Sequence, residues 1–284
     1  MTNKKFVIGS HVSLSYPEFL LGSVKEAISY GANALMVYTG PPQSSKRTPL
    51  NLLKVEEAWK LMEMHNIKKS NIIVHAPYII NLASSDETKR KFGIDFLSKE
   101  IDRANFIGAK YIVLHPGNSI KAPVDVAINN LQKSLNDVLM KTKNVIICLE
   151  TMAGKGTEIG KNFFELKQII SKVNQKNRIK VCFDTCHVHD SGYDLSNLDN
   201  VLEHYSKYMP LKNIQVFHLN DSLNQVGSKC DRHANINKGF IGIQPLINLI
   251  KKPIFEGIPF ILETPYVNSL PPYKEEIELI NSFI

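Results

Sequence analysis

A chain of 284 residues with 43% hydrophobic and 21% charged residues carries enough apolar material for a sizeable core, which excludes long disordered stretches. Its 34 Lys and Arg against 27 Asp and Glu give a net charge of +7, a balance that suits a polyanionic partner such as nucleic acid but equally a basic, solvated surface. No stretch approaches the roughly 20 apolar residues of a membrane span, and the N-terminal MTNKKFVIGSHVS has no apolar run of signal-peptide length, so a cytoplasmic protein is expected. Cys148, Cys182, Cys186 and Cys230 form no C-x-x-C pair, and two of them lie inside apolar runs, as buried thiols in a reducing compartment would.

Taken in chain order, a short β-rich run, a polar turn and an amphipathic stretch repeat along the whole length. The strands are FVIGS, ALMVYT, NIIVHAP, YIVLHPG, VIICLET, IKVCFDT, IQVFHLN and PFILETP, eight in all. Between them, PEFLLGSVKEAISYGA, KVEEAWKLMEMH, ETKRKFGIDFLSKEIDRANFIGA and VDVAINNLQKSLNDVLMK repeat apolar residues at three- and four-residue spacing and predict helices. Continuous apolar strands alternating with amphipathic helices require a parallel sheet covered by helices. Eight such units close naturally into an α/β (β/α)₈ TIM barrel, with an open doubly wound sheet as the alternative. No linker or composition shift divides the chain, and one barrel domain over residues 1–284 is expected.

In such a barrel, functional side chains sit where each strand meets its following loop. The strand ends read His75, His115, Glu150, Asp184 with His187, His218 and Glu263. A lone His or Glu at a strand end is usually a hydrogen-bonding residue; six consecutive strand ends of metal-ligand type make coincidence improbable. CDRHANINKG adds Asp231 and His233 in D-x-H spacing, which an extended loop can bring to one ion. Five imidazoles and four carboxylates without cysteine suit zinc or manganese in an open, catalytic site, and they are too many for one tetrahedral ion. Clustered divalent ions favour in-line phosphoryl displacement, so phosphate ester hydrolysis leads on chemical grounds.

The segments GSHVS, YTGPPQ, VHAPYIINLAS, HPG, LETMAGKGTEIG, FDTCHVHDSGYD, FHLNDS, GSKCDRHANINKGFIG and LETP together resemble the zinc-dependent endonuclease IV family of apurinic/apyrimidinic endonucleases over nearly the whole chain. The resemblance implies a xylose isomerase-like barrel with three zinc ions, manganese being an alternative at some positions. It assigns His75 and His115 to one ion, with Glu150 bridging to a second held by Asp184, His218 and Glu263, and His187, Asp231 and His233 to a third; Glu150 and Glu263 are the carboxylates expected to act in catalysis. The implied reaction is hydrolysis of the phosphodiester 5′ to an abasic site in double-stranded DNA, leaving a 3′-hydroxyl and a 5′-deoxyribose phosphate, with removal of 3′ blocking groups as a related activity. A monomer is expected.

A base-free nucleotide must leave the helix to reach a recessed cluster, and something must fill the gap. Tyr78 and Ile79 are placed for that in the manner of the family, although both could simply pack on the barrel rim. Gln43, with Lys46 and Arg47 nearby, Lys155 between Gly154 and Gly156, and Arg232 between two proposed ligands are the expected DNA contacts. Two features depart from the family pattern. After DRH the family usually carries Glu-Asn-Ile-Gly, whereas this chain has Ala234, Asn235, Ile236 and Asn237, which would remove a partner of a histidine ligand and soften the third site. His189 is an extra imidazole, expected at the surface or facing DNA; His11 is expected to hydrogen-bond to a ligand, and His65 and His204 to be structural. Against the nuclease stand a sugar isomerase on the same fold, which needs fewer ions and usually a lysine at a functional strand end, and a non-catalytic DNA-binding scaffold with structural zinc.

Overall fold

The computed structural model describes residues 6–284; the first five residues of the N-terminal stretch considered above lie outside the described residues. Eight parallel strands, β1 (Ile8–His11), β2 (Ala34–Val37), β3 (Ile72–His75), β4 (Tyr111–Leu114), β5 (Ile146–Glu150), β6 (Ile179–Asp184), β7 (Ile214–His218) and β8 (Phe260–Leu262), close into a barrel in sequence order, with β8 pairing back to β1. All eight expected strands form, and the closed barrel replaces the open-sheet alternative. Around them lie α1 (Phe19–Ser29), α2 (Val55–Met64), α3 (Glu87–Phe106), α4 (Val124–Lys141), α5 (Phe163–Ser171), α6 (Thr185–Ser191), α7 (Leu198–Ser206), α8 (Ile243–Ile250) and α9 (Tyr273–Asn281). The four helices expected from periodicity are present, and the 18 residues predicted for α4 are its observed length.

Successive side chains on a strand point to opposite faces. Outward residues such as Ile72, Val74, Ile112, Leu114, Leu149 and Phe183 pack under the helices in the main core, while Met36, Ile73, Val113, Cys148, Cys182, Val216 and Ile261 fill the barrel interior. Two residues beyond the last six of these come His75, His115, Glu150, Asp184, His218 and Glu263. The metal-ligand residues therefore continue the interior rows past the packed layer, and the alternation that fills the barrel also aims them at one point. A register shift between Val181 and Cys182 brings Asp184 level with His218 on the neighbouring strand.

One long excursion interrupts the plan. Between β7 and α8, Asp221–Ser222 and His233–Ala234 form a short antiparallel ribbon. Its base is held by the buried Asp221 carboxylate, which accepts N–H groups from Ser222, Gly239, Ile241 and Gly242. Gly239 has to be glycine here, because a Cβ would lie 2.2 Å from the Ser222 carbonyl oxygen.

The interior layer supports the site above it. Ile261→Ala, beneath Glu263, is expected to cost about 2–5 kcal/mol in urea unfolding, whereas Met140→Ala, at a position 72% exposed on α4, should stay within about 0.5 kcal/mol.

Candidate metal centre

The nine candidate ligands meet at the C-terminal mouth of the barrel, around a cavity of about 520 Å³ lined among others by His75, His115, Glu150, His187, Asp231 and His233. Glu150 lies at the centre, 1% exposed. Its Oε2 faces Nε2 of His75 at 3.3 Å and Nε2 of His115 at 3.1 Å, and its Oε1 faces Nδ1 of His218 at 3.0 Å and of His187 at 3.3 Å. His218 Nδ1 also lies 2.8 Å from Glu263 Oε2 and 3.6 Å from Asp184 Oδ2. On the far side, Asp231 Oδ1 lies 3.0 Å from His187 Nε2 and 3.8 Å from His233 Nε2. Four overlapping groups among the described residues could hold an ion: His75, His115 and Glu150; Glu150, Asp184, His218 and Glu263; His187, Asp231 and His233; and Asp184, Cys186 and His233, of which the first three together take in all nine candidates.

Two observations show that these residues fit divalent ions. Ligands at the zinc bonding distance of about 2.0–2.1 Å stand about 3.3 Å apart along a tetrahedral edge, close to the separations from Glu150 Oε2 to His75 and His115. Despite those separations, Glu150 Oε2 is buried without a hydrogen bond, as is His233 Nε2. The tautomers also agree. His75, His187 and His233 place Nδ1 2.8, 2.9 and 3.2 Å from the carbonyl oxygens of Ala76, Thr151 and Glu263. A ring that donates Nδ1–H in this way leaves the Nε2 lone pair for an ion. His218 is turned round: Nδ1 faces the carboxylates and Nε2 is buried without a partner.

Charge is balanced locally. Burial opposes ionisation of Glu150, but the charges of the His218 and His115 imidazoles, with the close approach of His115 and His187 to its oxygens, hold its carboxyl well below the usual range. Burial likewise opposes ionisation of Glu263 and is overcome by His218, first through its charge and then through its hydrogen bond, and by His75. His187 is raised well above 6.5, burial being outweighed by Asp184, Asp231 and Glu150; His218 is raised likewise, burial being outweighed by the carboxylates of Glu263 and Glu150. His11 goes the other way, to about 4, because burial dominates.

Neighbouring residues fix these ligands, and several of them carry no signal in the sequence. Asp184 ends β6 and caps α6, accepting the His187 N–H at 2.7 Å. Asn220 donates Nδ2–H to Asp184 Oδ2 and accepts the Glu263 N–H, at 2.8 and 2.9 Å, and Thr151 accepts the Asp184 N–H at 2.9 Å. His11 and Tyr38 line the cavity from β1 and the end of β2, with rings 4.8 Å apart; His11 is expected to hydrogen-bond to a ligand, and its Nε2 is buried without a hydrogen bond.

The expected DNA-contacting residues separate. Tyr78 is 54% exposed at the rim, its ring 5.9 Å from His75 and 5.5 Å from His115. Ile79 is half-buried against the core. Gln43, Lys46, Lys155 and Arg232 are exposed or partly exposed. Arg47 is corrected: its guanidinium pairs with the buried Glu100 at 2.7 Å, lies over Phe96 and donates to the Ser44 and Lys46 carbonyls, so it pins the Gln43 loop from beneath. In the AGKG turn the Gly154 and Lys155 N–H groups already serve Glu158 Oε2, at 3.1 and 2.8 Å. His189 is also corrected. It is buried, its Nε2 3.1 Å from the Asn224 carbonyl oxygen, because α6 turns it toward the ribbon and away from solvent. Ala234 is buried in that ribbon, and the backbone carbonyl of Glu263 is the partner of the neighbouring His233. His65 is exposed at the end of α2, and His204 packs among Phe163, Tyr193 and Tyr208.

A closed parallel barrel with His and carboxylate residues crowding one mouth defines a class, and a family model described as a xylose isomerase-like TIM barrel matches residues 24–283. Within that class the similarity is specific: the probable endonuclease 4 of Acholeplasma laidlawii is 48% identical over 277 residues, spanning 96% of this chain and 94% of that protein. The crystal structure of endonuclease IV from Thermus thermophilus superposes with a TM-score of 0.83 at 26% identity, over 97% of this chain and 98% of that one. A D-tagatose 3-epimerase-like protein, at 18% identity and a TM-score of 0.73 over 97% and 96% of the two chains, shares the fold alone. The chain belongs to the endonuclease IV family and is a hydrolase of the nuclease class.

Removal of bound metal should reveal the charge arrangement. Imidazoles with raised values contribute stability below their ordinary 6.5 and lose it as pH rises through the folded value; carboxylates with depressed values contribute above their ordinary 4.5 and lose it as pH falls. The demetallated protein is therefore expected to gain most from this cluster between pH 4.5 and 6.5. Metal, which needs neutral imidazole, should bind more weakly as pH falls, with proton release on binding. Thermal melts across pH with and without zinc test both signs.

Proposed function

We propose that this protein is a base-excision repair endonuclease that hydrolyses the phosphodiester 5′ to abasic sites in double-stranded DNA, leaving a 3′-hydroxyl and a 5′-deoxyribose phosphate, and that clears blocked 3′ ends at the same site. The observation that carries the reading is the convergence of nine His and carboxylate residues on one open mouth with Glu150 between two ligand groups. His75, His115 and Glu150 would hold one ion, Glu150, Asp184, His218 and Glu263 a second, and His187, Asp231 and His233 a third. The mixed imidazole and carboxylate set suits zinc, with manganese an alternative. Such ions supply Lewis-acid stabilisation to an in-line phosphoryl displacement and lower the pKa of water toward neutrality.

The protein's own contribution is placement. Backbone carbonyls lock three imidazole tautomers, and Asn220 and Thr151 hold Asp184 and Glu263 in register. The buried floor is out of reach of a phosphate inside a stacked duplex, so the damaged nucleotide must swing out. Tyr78 at the rim, backed by Ile79, is the group we assign to fill the gap, while Gln43, Lys155 and Arg232 face the strands as neutralising or polar contacts. Against an isomerase reading, none of the eight interior rows ends in lysine at the mouth; Lys180 sits at the start of β6, away from it. Among the described residues no helix is long and apolar enough to cross a membrane, and a cytoplasmic monomer is the form we expect.

Glu150→Gln keeps the shape of the central residue and removes its charge. Incision of a duplex with one abasic site should fall by about three orders of magnitude or more, while binding of that duplex stays within a few-fold; full incision by the variant or by demetallated wild type would sink the mechanism. Binding should also weaken steeply between about 50 and 200 mM salt as counterions are released. A flat salt dependence would remove Lys155 and Arg232 from the DNA face.

A further inference from the structure

The excursion between β7 and α8 carries Asp231, Arg232 and His233, and Asp221 fixes only its base. Its outer half rests on the last turn of α6. Asp190, fully buried, accepts from Ser222 Oγ at 2.6 Å, Asn224 Nδ2 at 3.3 Å and the Asp231 N–H at 2.8 Å. His189 donates Nε2–H to the Asn224 carbonyl at 3.1 Å. The carbonyls of His189 and Asp190 accept the N–H groups of Gly227 and Lys229 at 3.0 and 2.9 Å. The backbone held in this way is unusual: Lys229 and Asp231 have φ of 57° and 56°, in the left-handed region. Such a conformation is unfavourable for a side-chain-bearing residue and persists where the surroundings over-determine it. At Asp231 the over-determining contact is the Asp190 carboxylate on its N–H, and the result is that Asp231 Oδ1 faces His187 Nε2 at 3.0 Å.

We propose that His189 and Asp190 are positioning residues for the ligand group His187, Asp231 and His233. One short helix thus presents His187 to the cavity and its next turn to the loop that supplies the other two ligands. Because the Glu150-centred groups are drawn from strand ends and not from this loop, their hold on metal is independent of the pair. The inference rests on the reading that these groups bind divalent ions, and it assigns the preorganisation of one group to residues that touch neither metal nor DNA.

The test measures zinc per chain, by elemental analysis, in purified full-length wild type, D190A, H189L and H189Q after equilibration against rising concentrations of the chelator 4-(2-pyridylazo)resorcinol. D190A and H189L should surrender one ion per chain at about 10- to 100-fold lower chelator than wild type, with the remaining ions leaving as in wild type. H189Q, which keeps an N–H donor for the Asn224 carbonyl, should move back toward the wild-type profile. If wild type itself holds fewer than three ions, the reading of the metal centre fails and not the positioning role. If wild type holds three and the variants release them in the wild-type pattern, or lose all three together, the positioning role is overturned. Should D190A not fold, the contrast between H189L and H189Q decides the question alone.

Discussion

A carboxylate removed from water must be met by positive charge or by a cation, since an unpaired buried charge costs several kcal/mol. Glu150 is such a group, with two imidazole nitrogens facing each of its oxygens. Most of the mouth follows from it. His75 and His115 come from the ends of the preceding strands β3 and β4, His218 from β7, and His187 from the first turn of helix α6, which follows β6. Without a cation, His115, His187 and His218, all raised above the ordinary imidazole value, meet Glu150 and Glu263 with positive charge; with divalent ions the same atoms become ligands and those protons leave. The site is therefore built around a charge that the fold cannot accommodate alone.

The barrel supplies a backbone on which this can be done with few residues. Parallel strands with a two-residue period deliver one inward side chain each at the level above the packed interior, and closure points all of them at a common axis. Cys148 and Cys182 are small and sit directly beneath Glu150 and Asp184, and both are buried with thiols held protonated by burial. They are packing residues and not ligands. The third ligand group is built differently, from one helix turn and one long loop, and so it needs fixing contacts that the strands do not.

That difference is visible in what could be read from the sequence. Strand count, strand order around the barrel and the six ligand-bearing strand ends were legible because apolar runs and a period of two survive any detail of packing. Asp231 and His233 were legible as a motif, and the family resemblance grouped them. The errors fell on residues whose roles depend on partners far along the chain, Arg47 on Glu100 and His189 on Asn224. A basic or aromatic residue on a loop looks available until the carboxylate or carbonyl that claims it is located.

By itself, then, the sequence determined the barrel and the identity of the crowd at its mouth, because both are carried by local pattern. Only the tertiary structure decided which nitrogen of each imidazole faces inward, that Asn220 and Thr151 hold the ligands, and that Asp190 braces the strained backbone at Asp231. The last two depend on hydrogen bonds between segments more than thirty residues apart, and the ring orientations on contacts that range from the neighbouring residue at His75 to Thr151 at His187; no periodicity encodes them.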